Sequence, residues 1–494
     1  MSAYLELESR FHRIAALGEA AGVLHWDMSV LMPPGGVDAR TEQLTSLKLT
    51  IHEMKTAPEL ADLLKAAEDE TSEGEWQKAN LAEMRRCWVH ANAVDPDLVE
   101  AMTRAGSACE MVWREARPEN DYDRVLPYLE EVLNLSRQAA SAKASALGCS
   151  DYEALLDQYE AGGRTDQIDA LFADLERFLP DFIENAVAGQ VARGDAIMPA
   201  GPFHIDRQRD LARKLMRVLG FDFDAGRLDI SLHPFCGGVP GDIRVTTRYT
   251  EDDFMQSLMG VLHETGHALY EMGLPKDWRY QPVGSARGMA LHESQSLLIE
   301  MQACRSREYM VFAAPLIREA FGGKGAAWEV ENLYRLYTHV ERSFIRVDAD
   351  EVTYPAHVIL RYRLERALIG GDLALKDLPG AWNDEMESLL GIHPPDDRQG
   401  CMQDIHWYDG AWGYFPTYTM GAMAAAQLFA AAKVAEPDIT ERISHGDVAP
   451  LVGWMRENLH AKASSTSTDD LMRAATGKPL GAEDFKAHLQ ARYG

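Results

Sequence analysis

His263, Glu264 and His267 stand in the pattern His-Glu-Thr-Gly-His. Two imidazoles four residues apart share one face of a helix, so both rings can point at one metal ion. Glu264 falls at the edge of that face, within reach of a proton on an attacking water. This arrangement is the core of a zinc hydrolase. Its flanks suit a helix. Phe254, Met255, Leu258, Met259, Val261 and Leu262 recur at helical spacing ahead of it, Ala268, Leu269 and Tyr270 follow, and Gly273 and Pro275 end the run.

A catalytic zinc site uses three protein ligands and leaves one position open. The metzincin position for a third histidine holds Gly273, and Tyr270 stands where that class needs glycine, so that class is excluded. Glu271 lies about 12 Å from His263 along a helix axis, at ~1.5 Å per residue. Three side chains spread over that length do not converge. A second helical segment, Met289 to Met301, opens with Leu291-His292-Glu293-Ser294. His292 and Glu293 are about 100° apart on it, so they do not face the ion together. Two histidines with a carboxylate form the ligand set of known zinc peptidases, which selects Glu293. His292 stays as the alternative ligand; otherwise it supports the site or touches substrate.

The elements around these residues read as almost entirely helical. Leu5–Ala21, Arg40–Met54, Asp97–Arg117, Val125–Leu147, Arg164–Leu179, Arg207–Val218, Trp328–Val340, Pro355–Leu368 and Met420–Lys433 carry a 3.6-residue period, with breakers such as Gly162-Gly163 and Gly370-Gly371 between them. One segment, Asp242 to Tyr249, alternates like a strand and precedes the histidine helix, so a small sheet is expected beside the site. No repeat or long linker divides the chain. A single helical domain over residues 1–494 is expected, with two lobes around a groove as a variant of that reading.

Composition narrows the classes. A formal charge of −28 argues against a nucleic-acid partner, and any anionic ligand then needs a local cationic pocket. The longest apolar stretch, Met420 to Ala432, is too short to span a bilayer and reads as a buried helix. The first residues show no leader-like apolar run. Six scattered cysteines without a CxxC pair point to reduced thiols and a cytoplasmic location.

Beyond the zinc motif, several blocks occur in order: Trp26-Asp27 with Met32-Pro33, His233-Pro234-Phe235, Asp242-Ile243-Arg244-Val245-Thr246, His292-Glu293-Ser294, Ile345 to Asp350, and Gly400 to Trp407. With them the chain resembles the carboxypeptidase Taq family of metallocarboxypeptidases over nearly its full length. The resemblance implies a mostly helical, groove-bearing fold, a homodimer, and release of single residues from peptides with a free C-terminus. It also implies an ion held by His263, His267 and Glu293, in agreement with the choice above. Zinc is the expected ion, with cobalt or manganese as substitutes, and Glu264 the general base.

The reaction needs donors to a developing oxyanion. His406 and Tyr418 are the chosen pair, with Tyr414 as substitute. An exopeptidase must also grip a carboxylate, for which arginine's planar fork is suited. Arg346 and Arg244 are the candidates, with Asp348 and Asp350 expected to steady Arg346. His233 is expected at the groove wall, and Trp26 and Asp27 as an aromatic anchor and a helix-end cap. The competing readings are an endo-acting oligopeptidase of the same fold and a catalytically silent helical scaffold.

Overall fold

The computed structural model describes residues 2–70 and 74–494. Helices dominate it. Most begin and end within a few residues of the periodic segments: Val37–Lys55, Pro96–Glu119, Tyr122–Leu147, Ile205–Val218, Tyr354–Gly370 and Pro416–Ala435. Three differ. Ala3–Val30 runs nine residues past Ala21, where its pattern ended. Thr165–Arg193 runs through Pro180, where the sequence suggested a stop, and Val330–Tyr337 is shorter than its pattern. Among the described residues, no helix is long and apolar enough to cross a membrane.

The small sheet has three strands, β1 (Gly226–Ile230), β2 (Cys236–Val239) and β3 (Asp242–Thr247). β3 lies in the middle, parallel to β1 and antiparallel to β2. Its alternation explains its place: Ile243 and Val245 turn inward and pack with Val261 and Ala268 of the histidine helix, Met255–Gly273. The β2–β3 turn depends on Gly238 at φ +85°, where an added Cβ would sit 2.2 Å from the Asp242 carbonyl oxygen.

Trp26 is buried at the end of the first helix, and Arg244 lies over its ring at 4.3 Å. The Asp27 carbonyl accepts from the Leu31 and Met32 N–H groups, and its carboxylate pairs with Arg40 at 2.7 Å. These two residues thus fasten the N-terminal helix to the sheet and close its end.

Two large apolar clusters fill the interior, and helix Pro416–Ala435 belongs to both. Met420, Met423 and Ala426 enter one, while Ala424, Ala425 and Leu428 enter the other. A groove of about 930 Å³ opens along this helix, with walls from Leu297 and Tyr337 of one cluster and Tyr354 and Tyr418 packed on the other.

Candidate metal centre and groove

Three helices meet at the groove floor. Met255–Gly273 carries the histidines, Gly288–Leu297 carries Glu293, and Pro416–Ala435 backs them. Glycine sets how closely they approach. A Cβ on Gly266 would lie 2.5 Å from both the Gln295 carbonyl oxygen and Ser296 Cα, and one on Gly421 would lie 2.7 Å from Glu293 Cβ. With those positions bare, ligand atoms of His263, His267 and Glu293 all fall within 4.8 Å of one another.

The ring nitrogens are sorted by their partners. His267 Nδ1 donates to the His292 carbonyl oxygen at 3.0 Å, and His263 Nδ1 lies 2.9 Å from Glu300 Oε2. Both Nε2 atoms therefore face Glu293, at 3.9 Å from His263 and 3.6 Å from His267, and are the atoms each ring can turn to a metal. The donor set of two imidazoles and a carboxylate fits a divalent transition metal.

The electrostatics favour a cation at this point. Burial works to lower the His263 pKa, but Glu300, Glu293 and Glu264 outweigh it and hold the group up to about 10. Burial drives His267 well down. Burial also lifts Glu264 to about 7, with His263 opposing and Glu293 adding to the rise. A carboxyl so placed changes protonation near neutral pH, as a general base requires.

Glu300 escaped the sequence reading. It sits in Leu298–Cys304, a π-helical stretch that extends the glutamate helix and changes which residues face the histidines. Arg305 grips its other oxygen at 2.7 Å. Only its seven-residue spacing from Glu293 hinted at a shared face. His292, meanwhile, bonds Glu271 at 2.9 Å and stacks on His267 at 4.6 Å between ring centroids.

The other candidates separate. Tyr414 and Tyr418 line the groove, whereas His406 packs behind them, with ring centroids 5.8 and 6.5 Å from theirs. Burial brings His406 down to about 4 and pushes both phenols up, so the imidazole is neutral and the phenols stay protonated. Arg346 is buried at the groove and donates to Asp404 at 2.8 Å and to the Tyr354 hydroxyl at 2.8 Å. The expected support from Asp348 and Asp350 is not what holds it. Asp350 instead accepts from the Glu341, Val352 and Thr353 N–H groups, which locks its own turn. Arg361 also donates to Asp404, at 2.6 Å, so one carboxylate serves two guanidinium groups. Arg244 is matched singly by Asp242 at 2.6 Å. On that side the groove wall is Pro234, Phe235 and Cys236, with His233 exposed just ahead of it.

The family model for carboxypeptidase Taq (M32) metallopeptidases matches residues 6–493. Thermostable carboxypeptidase 1 of Thermus thermophilus is 37% identical over 503 residues, covering 99% of this chain and 97% of that protein. Among solved structures, metallocarboxypeptidase 1 of Trypanosoma cruzi superposes with a TM-score of 0.96 at 40% identity, covering 99% of both chains. The M32 carboxypeptidase of Deinococcus radiodurans gives 0.93 at 32% identity, covering 100% of this chain and 99% of that one. The chain belongs to the carboxypeptidase Taq (M32) metallopeptidase family. It is a carboxypeptidase that depends on a divalent metal and acts on peptides.

Proposed function

We propose that His263, His267 and Glu293 hold zinc, with cobalt or manganese able to replace it, and that the site releases single residues from free peptide C-termini. The observation that carries this is the convergence of three ligand atoms within 4.8 Å beside the buried Glu264. A metal held there would supply Lewis acidity and make the attacking water easier to deprotonate.

Glu264 takes the proton of the attacking water and returns it to the leaving amine. Tyr418 and Tyr414, kept protonated by burial, donate to the oxyanion as it forms. His406 stacks behind Tyr414, meets Tyr418 edge-on, and orients both rings. Arg346 receives the substrate carboxylate. Its support is the charge count, because Asp404 is shared with Arg361 and leaves one positive charge over. Arg244 leaves none over, so it serves to brace Trp26 and the sheet, and His233 flanks the entry.

The same reading takes residues 1–494 as one domain with two lobes about the groove, a cytoplasmic location in keeping with six free cysteines, and a homodimer as the family resemblance implies. Peptide digestion followed by mass spectrometry tests the activity. Successive losses from the C-terminus are expected, abolished by chelator, restored by zinc and blocked by C-terminal amidation. Internal cleavage of the amidated peptide would overturn it in favour of an endo-acting enzyme.

A further inference from the structure

A stretch without regular structure, residues 391–415, supplies His406 and Tyr414 and leads into the helix that carries Tyr418. Helix Tyr354–Gly370 grips this loop at two points one turn apart, since residues i and i+4 share a helix face. Arg361 takes Asp404 at 2.6 Å. Glu365 takes the later part: its Oε1 accepts the Trp407 indole N–H at 2.8 Å and the Gly413 N–H at 3.3 Å. Those two donors adjoin His406 and Tyr414 in the chain. The second oxygen, Oε2, accepts from the Tyr152 hydroxyl at 2.7 Å, which anchors the carboxyl group to helix Asp151–Leu156.

Packing leaves the loop one course at this point. Gly413 sits at φ +86°, and an added Cβ would lie 2.9 Å from the Leu156 nitrogen. Trp407 is buried and stacks on Trp412 at 5.5 Å between ring centroids. The Tyr414 carbonyl then accepts from the Thr417 N–H at 3.1 Å and from the Thr417 hydroxyl at 2.7 Å, so the direction taken at Gly413 passes into the helix of Tyr418. Glu365 itself is fully buried, lies outside the groove wall and is bonded only by neutral donors. Burial pushes its carboxyl up to about 7, against the pull of those donors and of Arg361. Burying a carboxyl among neutral partners is costly. What it secures here is two satisfied donors and a set path for the loop.

We propose that Glu365 is a positioning residue for the reaction: by holding Trp407 and Gly413 on one oxygen, it sets the phenols of Tyr414 and Tyr418 where the oxyanion forms. This rests on the reading of those two tyrosines as oxyanion donors. Ring contacts carry the placement onward, with Tyr414 5.1 Å from Tyr418 and 5.8 Å from His406 between centroids. Donors to a developing charge lose much of their effect when displaced by ~1 Å. A loop shifted at Gly413 should therefore slow the chemical step and leave substrate binding alone. A carboxyl protonated at Oε2 still accepts at Oε1, so the grip lasts through its own titration.

The test follows release of the terminal residue by the native chain, Glu365→Asp, Glu365→Gln and Tyr152→Phe, each with and without the pair Tyr414→Phe and Tyr418→Phe. Glu365→Asp withdraws the carboxylate by one methylene and should lose about tenfold in kcat. Its KM and bound metal should stay within about twofold of native. Glu365→Gln keeps an acceptor for Trp407 and Gly413 and should recover most of that loss. Tyr152→Phe frees the anchored oxygen, keeps the ring and should lose about threefold, which decides the matter if Glu365→Asp does not fold. With both phenols removed, these losses should vanish, because the carboxyl group acts through them. Hydrogen exchange read by mass spectrometry should rise over residues 404–415 in Glu365→Asp and not in Glu365→Gln. Native kcat in Glu365→Asp and Tyr152→Phe, unchanged exchange over that loop, or an equal loss with and without the phenols would overturn the proposal. Native kcat in the chain lacking both phenols would instead overturn the oxyanion reading beneath it.

Discussion

Glu300 Oε2 stands 2.9 Å from His263 Nδ1, and this contact leaves Nε2 as the nitrogen facing the candidate metal centre. Arg305 holds the opposite carboxylate oxygen, so the glutamate cannot swing away without losing a second ion pair. Replacing Glu300 with alanine is expected to weaken metal affinity by about 10- to 100-fold. Glu300→Gln, which keeps an acceptor oxygen, should lose less. Competition titration with a metal indicator reads this, and unchanged affinity in Glu300→Ala would show that the contact does not orient His263.

Helix spacing makes a separate claim on the same centre. At Gly266 an added methyl would lie 2.5 Å from the backbone of the glutamate helix at Ser296. Neither helix can yield there by rotating a side chain, so the pair must separate. Gly266→Ala should destabilise the fold by about 1–3 kcal/mol and reduce bound metal, because Glu293 moves with its helix. Thermal unfolding and metal stoichiometry measure the two effects. A variant that keeps native melting and full metal would refute the argument from contact.

On the proposed assignment Glu264 carries the chemistry and does not hold the ion. Glu264→Gln should lower kcat by roughly 10²- to 10⁴-fold, while metal binding stays within a few fold of native. A parallel loss of metal would mean that Glu264 acts as a ligand.

The candidate ligands were more legible in the sequence than their supports, and the reason is distance along the chain. His263 and His267 are one helical turn apart, so local geometry pairs them. Glu293 follows on the next helix, within the reach of a spacing argument. Arg346, by contrast, finds Asp404 rather than Asp348 or Asp350, and an ion pair 58 residues apart leaves no local trace. His406 was legible as a residue type, yet only the packing of Phe415, at 4.6 Å between ring centroids, shows that it stands behind the tyrosines. Helix Glu75–Asn92 passed unread because charged and apolar residues are mixed around it, while its buried Asn80 bonds Gln281, 201 residues away. The strand was readable because β3 buries alternate residues against the histidine helix. Its partners β1 and β2 are short and glycine-bearing, with little alternation to detect.

The acid limb of stability should be governed in part by Glu351. Burial opposes its ionisation, but His488 and Arg492 outweigh burial and, with the Tyr493 hydroxyl, bring the carboxyl down to about 2. These three residues lie on the last helix, Glu483–Tyr493, so one buried charge docks that helix. In the unfolded chain the group returns to its ordinary 4.5. Between those values the unfolded state binds the extra proton, so stability falls as pH falls. The contribution is complete above about pH 4.5 and lost on acidification through about pH 2, amounting to roughly 3 kcal/mol. Glu351→Gln should therefore be less stable than the native chain near neutral pH, with the two urea midpoints converging as pH drops from 5 toward 2.5. Midpoints that stay a constant distance apart over that range would show that the Glu351 charge does not hold the helix.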